Sequence, residues 1–486
     1  MPSITRIVLT VSVVVAVLVS VWTAWRTYAQ NAPSRGGQSA AAAFDNESNG
    51  FDQNRAGDQK SFEDVEFIHD GLGPVFNAQS CRECHQNPVS GGASQVAEKR
   101  AGHLDDDGDF VDATVTINSG RNKILNRNLI NDRSICPGKA VEQLDNGSTF
   151  TFDNQNESVQ EIVPIGDAIR TNRLSLNVLG DGFVEAIADN DIRNNAVQQC
   201  KQKVDGIICG HFIEVPVLES APGDPDKMVL AVGRFGWKDQ HASLLSFSAD
   251  AYLNEMGITN RLLRDEVTAV CNPPHVDEPN DKQNDIDKFA AFMRDTKTPP
   301  RDLLLLKDPR VQAGEQVFKD IRCDACHKPS WQTSKRIEAM PSTRPEVLVG
   351  KTIFPYSDFL LHDVGTGDGI AVSITEHYGV ANGQKLRALT VEFNQYCEDA
   401  RNRKAAGRPG YDYCNMHRQM QDNANRLRTA PLWGLRTRSR LMHDGASLNP
   451  VDAILRHAGE ATKVTERFNL LSGRDREDLL LFLKSL

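Results

Sequence analysis

The sequence has no excess of positive charge: 55 Lys and Arg stand against 65 Asp and Glu in 486 residues, a formal net charge of -10. Phosphate binding needs a basic footprint, so nucleic acid is not expected as a partner. Cysteine is sparse, with ten in the chain, which excludes a small domain held together mainly by disulfides. No repeat of fixed period occurs, apart from one five-residue motif present twice, and no series of membrane-length apolar runs is present. What remains is ordinary for a globular chain, with 40% hydrophobic and 25% charged residues. The length suggests two or three domains.

The first residues stand apart. Ile7 to Trp25 is a run of nineteen uncharged residues between Arg6 and Arg26. A signal peptide has an apolar run of about 7–15 residues and a spanning helix needs about 18. The run lies at the border, but Thr27-Tyr28-Ala29 puts a small residue at a possible cut before the polar Gln30 to Ser39, so residues 1–29 are expected to be a signal peptide, with a single N-terminal membrane anchor as the alternative. Either leads to an exported, periplasmic protein. Cleavage after Ala29 would leave a charge of -12, since Arg6 and Arg26 go with the leader.

Residues 30–60 are polar and are expected to form a tether. Between 111 and 165 apolar residues alternate around Asn146-Gly147, which predicts short strands and a hairpin. Helical spacing marks 183–199, 242–268, Asp308 to Ile321 and Asp475 to Leu486. Pro273, Pro274 and Pro279, followed by Pro299-Pro300, predict a linker over 272–304. The expected division is an N-terminal haem domain at 61–271 with β insertions and a C-terminal cytochrome c-like domain at 305–486. The fold class expected is mainly α.

The repeated motif carries the chemistry. Cys81-Arg82-Glu83-Cys84-His85 and Cys323-Asp324-Ala325-Cys326-His327 both read Cys-x-x-Cys-His. Two thiols a helical turn apart can form thioethers to the vinyl groups of one haem, and the next residue supplies the proximal imidazole. Zinc would require further ligands at finger-like spacing. Two covalent haem c groups are thus expected on Cys81, Cys84, Cys323 and Cys326, with His85 and His327 on iron. The six other cysteines suggest up to three disulfides. Nearness in sequence favours Cys200–Cys209 and Cys397–Cys414.

Longer segments around these motifs resemble the di-haem oxidoreductases, relatives of bacterial di-haem cytochrome c peroxidases. They are Gly71-Leu72-Gly73-Pro74-Val75-Phe76 before the first motif, Gly233-Arg234-Phe235-Gly236-Trp237-Lys238, Asp358-Phe359-Leu360-Leu361-His362-Asp363, Arg428-Thr429-Ala430-Pro431-Leu432-Trp433, and Leu441-Met442-His443-Asp444-Gly445. In the related peroxidases the His-Asp-Gly turn is followed at a fixed distance by the distal ligand of the C-terminal haem, usually Met. Here that place, fourteen residues beyond His443, holds His457. The resemblance also implies a displaceable histidine after the first motif, and His103, eighteen residues beyond His85, is the candidate. His69, His211 and His241 are substitutes. Glu185 falls where the peroxidases keep a catalytic Glu. His362 and His443 are expected near haem propionates, and Trp237 or Trp433 between the haems.

The family's calcium-binding Thr and Pro are replaced by Arg438 and Arg440, so calcium is not favoured there. An acidic run at 105–109 is a weaker alternative. The activity implied is reduction of hydrogen peroxide with electrons from a small periplasmic carrier such as a cytochrome c. Two rivals stand beside it: a two-haem electron carrier without peroxidase activity, and haem-based oxidation of an organic or protein substrate.

Overall fold

The computed structural model describes residues 39–372 and 421–486, apart from residues 107, 125–126, 223–227, 267, 269, 272–278 and 336–344. The candidate leader and the expected Cys397–Cys414 pair lie outside the described residues. Among the described residues no helix is long and apolar enough to cross a membrane.

The chain enters along residues 39–48 through single β-bridges to Thr352, Thr298 and Thr296, and Phe51 is buried. The second half of the expected tether is therefore attached to the body. Helix α1 (Arg55–Glu63) follows, then strand β1 (Val75–Phe76) and the one-turn helix α2 (Cys81–Cys84), which is the first motif itself. Ser80 caps α2 by accepting from the Glu83 N–H.

The next hundred residues are mostly β: β2 (Ala97–Leu104), β3 (Phe110–Asp112), β4 (Val115–Ile117), β5 (Asn122–Ile124), β6 (Leu129–Ile130), β7 (Arg133–Ser134), β8 (Gly138–Gln143), β9 (Thr149–Asn154) and β10 (Ile169–Leu174). In one sheet β2 pairs antiparallel with β10, β3 and β6. The hairpin predicted at Asn146-Gly147 joins β8 to β9, where Gly147 takes the left-handed φ of +82° the turn requires. Helices α3 (Asp181–Glu185) and α4 (Asp189–Gln202) come next, then the ribbon β11 (Glu214–Val217) with β12 (Val229–Val232) and helix α5 (Leu244–Met256).

The expected linker contains helix α6 (Asp285–Asp295), whose Ile286, Phe289, Phe292 and Met293 are buried. It packs on α1 and α5: Phe62 meets Phe292 at 4.6 Å, and Tyr252 meets Phe289 edge-on at 5.1 Å.

The C-terminal part begins with α7 (Pro309–Asp320), capped by Asp308 with Pro309 at its first position. Short pairs β13 (Trp331–Gln332) with β14 (Thr352–Ile353) and β15 (Leu361–His362) with β16 (Leu427–Arg428) follow. Three helices close the chain: α8 (Pro450–Leu455), α9 (Thr462–Leu470) and α10 (Gly473–Ser485). A separate core of Val311, Phe318, Tyr356, Phe468, Leu479 and Phe482 joins α7, α9 and α10.

The mainly α class is corrected by the structure: 33% of the described residues are helix and 19% strand, spread over many small sheets. The physical reason is strand length. Two-residue strands such as β13 to β16 exist only because another segment lies alongside, so no alternation announces them. The predicted helix over 242–268 also stops early, at Met256, because Gly257 takes a left-handed φ of +73° and caps it.

Candidate haem sites

The eight described cysteines are of two kinds. Cys136–Cys271 and Cys200–Cys209 are oxidised, whereas Cys81, Cys84, Cys323 and Cys326 are thiols. Burial pushes the thiols of Cys84 and Cys323 up to about 12. A reactive dithiol in a Cys-x-x-Cys motif needs the opposite shift, so the redox-dithiol reading of these motifs is not supported.

The second motif opens onto a cavity of about 520 Å³. Cys323, Cys326 and His327 line it, and so do His457 and His443. His327 has its Nδ1 3.0 Å from the Tyr356 carbonyl, and His457 has its Nδ1 2.7 Å from that of Ala453. A backbone carbonyl at Nδ1 makes that nitrogen the N–H donor and leaves Nε2 as the lone-pair atom for a metal. Burial pushes His327 down to about 4 and also lowers His457, keeping both imidazoles in the neutral form that ligates iron.

The cavity is also cationic. Arg438 lines it, and its hydrogen bonds go to the carbonyls of Pro431 (2.9 Å) and Trp433; no carboxylate pairs with it among the described residues. Burial, together with the nearby Arg428, pulls Arg438 down to about 10. Among the described residues, Nδ1 of His443 is buried without a hydrogen-bond partner. A group carrying carboxylates of its own, as haem does, suits both. The residues present therefore fit a haem: two motif thiols, two neutral imidazoles and unpaired donors on one cavity.

In a competing cluster, Cys326 with Asp358 and His362, the imidazole is already engaged on both ring nitrogens. His362 contacts Glu460 through Nδ1 and Asp358 through Nε2, each at 2.9 Å. Burial opposes its charge, but the Cys326 sulfur and Asp358 outweigh it and hold this histidine well above its ordinary value.

At the first motif, burial pushes His85 down to about 4. The two sites are linked through the end of β10. Ser175 Oγ donates to the Cys84 carbonyl (2.6 Å), and the Leu174 N–H donates to the His443 carbonyl (2.7 Å). The Trp237 indole N–H donates to the Leu174 carbonyl (2.7 Å), with its ring edge-on to His443 at 6.1 Å. Trp237 lines the cavity; Trp433 is buried in the large core instead.

His103 stands on β2 with its Nδ1 2.7 Å from Asp167, and it does not line the cavity. His69 contacts Glu142 and His241 contacts Asp250. Glu185 is held by Arg294, which donates Nε and Nη2 to its two oxygens at 2.7 and 2.8 Å, and by the Leu244 N–H at 2.8 Å. It too lies away from the cavity lining. Asp105 and Asp109 belong to the turn between β2 and β3, where the Asp109 N–H donates to Asp105. Arg440 bridges Gln95, just after the first motif, to the Gly445 carbonyl of the His-Asp-Gly turn.

Sequence reasoning missed Glu460, Ser175 and the placement of Arg438. Only Arg438 had a signal, a guanidinium where the family has a cation site.

Fold and site together define a redox protein with two Cys-x-x-Cys-His sites joined through one strand end. Residues 138–391 match the family described as "Di-haem oxidoreductase, putative peroxidase". That is more than half of the 486 residues, and the chain belongs to this family of di-haem oxidoreductases. The matched stretch contains the second motif; the first motif and His457 lie outside it. No curated protein matches the chain. Among solved structures, Kuenenia stuttgartiensis hydrazine synthase pressurized with xenon is 18% identical over 42% of this chain. The aligned region is 55% of that chain, about half its length, and the TM-score is 0.22, too low for a shared fold to be argued.

Proposed function

We propose that this chain is an exported peroxidase with two covalent c-type haems, reducing hydrogen peroxide to two waters with two electrons and two protons. The observation that carries it is the asymmetry of the imidazoles. At the second site His327 and His457 face one cavity, a pair suited to a six-coordinate haem that only passes electrons. At the first site the ring contact of His85 is with Phe62 at 6.3 Å, and no second imidazole pairs with it among the described residues. Bound haem would supply the redox-active iron. The protein's part is to fix His85 and His327, to keep both imidazoles neutral by burial, and to hold the two sites in contact through Ser175, Leu174 and Trp237.

His103 is the proposed displaceable ligand of the first haem, its Asp167 contact leaving Nε2 for iron in a carboxylate–histidine arrangement. Glu185 is the proposed acid/base group that moves a proton between the peroxide oxygens as the O–O bond breaks. Export is supported by the two disulfides, which persist in oxidising compartments. The donor would be a small periplasmic electron carrier.

The experiment is peroxide consumption by the haem-loaded protein, with and without a reduced small cytochrome. Consumption that needs the reduced cytochrome, together with a high-spin ferric signal in paramagnetic resonance, is the expected result. Low-spin signals throughout, unchanged by peroxide, would instead establish the two-haem carrier, a reading the His327–His457 pair favours on its own site.

A further inference from the structure

His457 leads into a loop that the rest of the chain holds firmly. The Ala458 N–H donates to the Val364 carbonyl and the Glu460 N–H to the Asp363 carbonyl, both at 2.8 Å. Gly459, with φ of +52°, passes so close to the Asp363 carbonyl that any side chain there would overlap it. The Glu460 carboxylate then accepts from the Asp363 N–H (3.1 Å) and the Cys209 N–H (2.9 Å), and contacts His362 Nδ1 at 2.9 Å.

Cys209 closes a disulfide with Cys200, nine residues earlier. The side chain before Cys200 reaches the proximal side of the same site. Gln199 Nε2 donates to the Ala325 carbonyl (2.6 Å), inside the second motif, and to Asp358 Oδ2 (2.8 Å). Its Oε1 accepts from the Gly210 N–H at 2.6 Å. The residues flanking one disulfide thus bind both the segment that presents His327 and the loop that follows His457.

We propose that Glu460 and the Cys200–Cys209 loop form a clamp that positions His457 opposite His327. Glu460 is the positioning residue, and the disulfide fixes the distance between the clamp's two ends, Gln199 on the motif and Cys209 on the distal loop. The inference rests on His457 being the distal ligand of the C-terminal haem. Groups that hold a metal ligand in place typically change metal affinity by roughly 10–100-fold when removed, and the clamp should act on the iron–His457 bond on that scale.

The test uses the full-length protein carrying both haems, with cyanide as a probe that must displace His457 from ferric iron. His457→Gly identifies the signal: it should abolish the slow cyanide phase and the low-spin resonance of that haem. In Glu460→Ala and in the double variant Cys200→Ser/Cys209→Ser, the slow phase should accelerate by roughly 10–100-fold with the circular dichroism unchanged. Glu460→Gln keeps one acceptor oxygen but turns an amide NH2 toward the Asp363 or Cys209 N–H, so it should accelerate the slow phase less than Glu460→Ala does.

Wild-type cyanide kinetics in Glu460→Ala, with the slow phase still lost in His457→Gly, would overturn the clamp while leaving His457 as ligand. An unchanged resonance in His457→Gly would overturn the ligand assignment and the clamp with it. If the double variant does not fold, the two Glu460 variants decide the matter.

Discussion

At the scale of single residues, the proposed distal position at His457 would set the character of the second haem. A thioether favours ferrous iron more than an imidazole does. His457→Met should therefore raise the midpoint potential of the C-terminal haem, read by spectroscopic redox titration, while leaving the other haem unchanged. Glu185 presents a different case. Its side chain is 5% exposed and that of Arg294 8%, so removing one partner strands the other charge in the interior. Glu185→Ala should lower stability by about 3–5 kcal/mol in denaturant unfolding. Glu185→Gln keeps hydrogen bonding to Arg294 but not the charge, so it should lose less stability than Glu185→Ala; loss of turnover in the folded variant would support proton transfer, and retained turnover would make Glu185 a structural partner of Arg294.

At the scale of elements, the C-terminal core depends on how closely α7 approaches α10. Gly314 on α7 lies against the backbone of Asp478 on α10, where an added methyl group would overlap the Asp478 carbonyl and crowd Phe482. Since backbone cannot yield as a side-chain tip can, Gly314→Ala should cost about 1–3 kcal/mol, measured as a lower unfolding midpoint. Both helices were legible in the sequence, since Asp308-Pro309 and Ser472 mark their starts and Leu479, Phe482 and Leu483 their buried face. Helix α6 was not. The prolines before it suggested a loop, yet Ile286, Phe289 and Phe292 repeat at helical spacing and are buried against α1 and α5.

At the scale of the whole molecule, one buried ionic cluster ties distant segments. Asp368 meets Arg173 on β10 and Lys238, each at 2.8 Å. Burial alone would raise its pKa, but the two cations outweigh it and hold Asp368 far below the usual carboxylate range. The unfolded chain then takes up this proton first as the pH falls, near the ordinary Asp value of about 3.9. The cluster's contribution is complete above that pH and is lost below it. Urea midpoints of the native protein should accordingly drop below about pH 4, and Asp368→Asn, less stable at neutral pH, should show a shallower acid-side decline.

The sequence by itself determined whatever depends on residues close together along the chain. The two Cys-x-x-Cys-His motifs, the Cys200–Cys209 bridge, the Asn146-Gly147 hairpin and the C-terminal helices each follow from local spacing and local backbone chemistry. Tertiary structure alone decided what depends on which segments meet. Cys136 finds Cys271 across 135 residues, Glu185 closes on Arg294, and Arg438 reaches the cavity beside the second motif without a carboxylate partner among the described residues. Glu460 gathers Cys209, His362 and Asp363 behind the proposed ligand. No local pattern encodes these pairings, because their energies come from burial and from hydrogen bonds completed only when the fold brings the partners together.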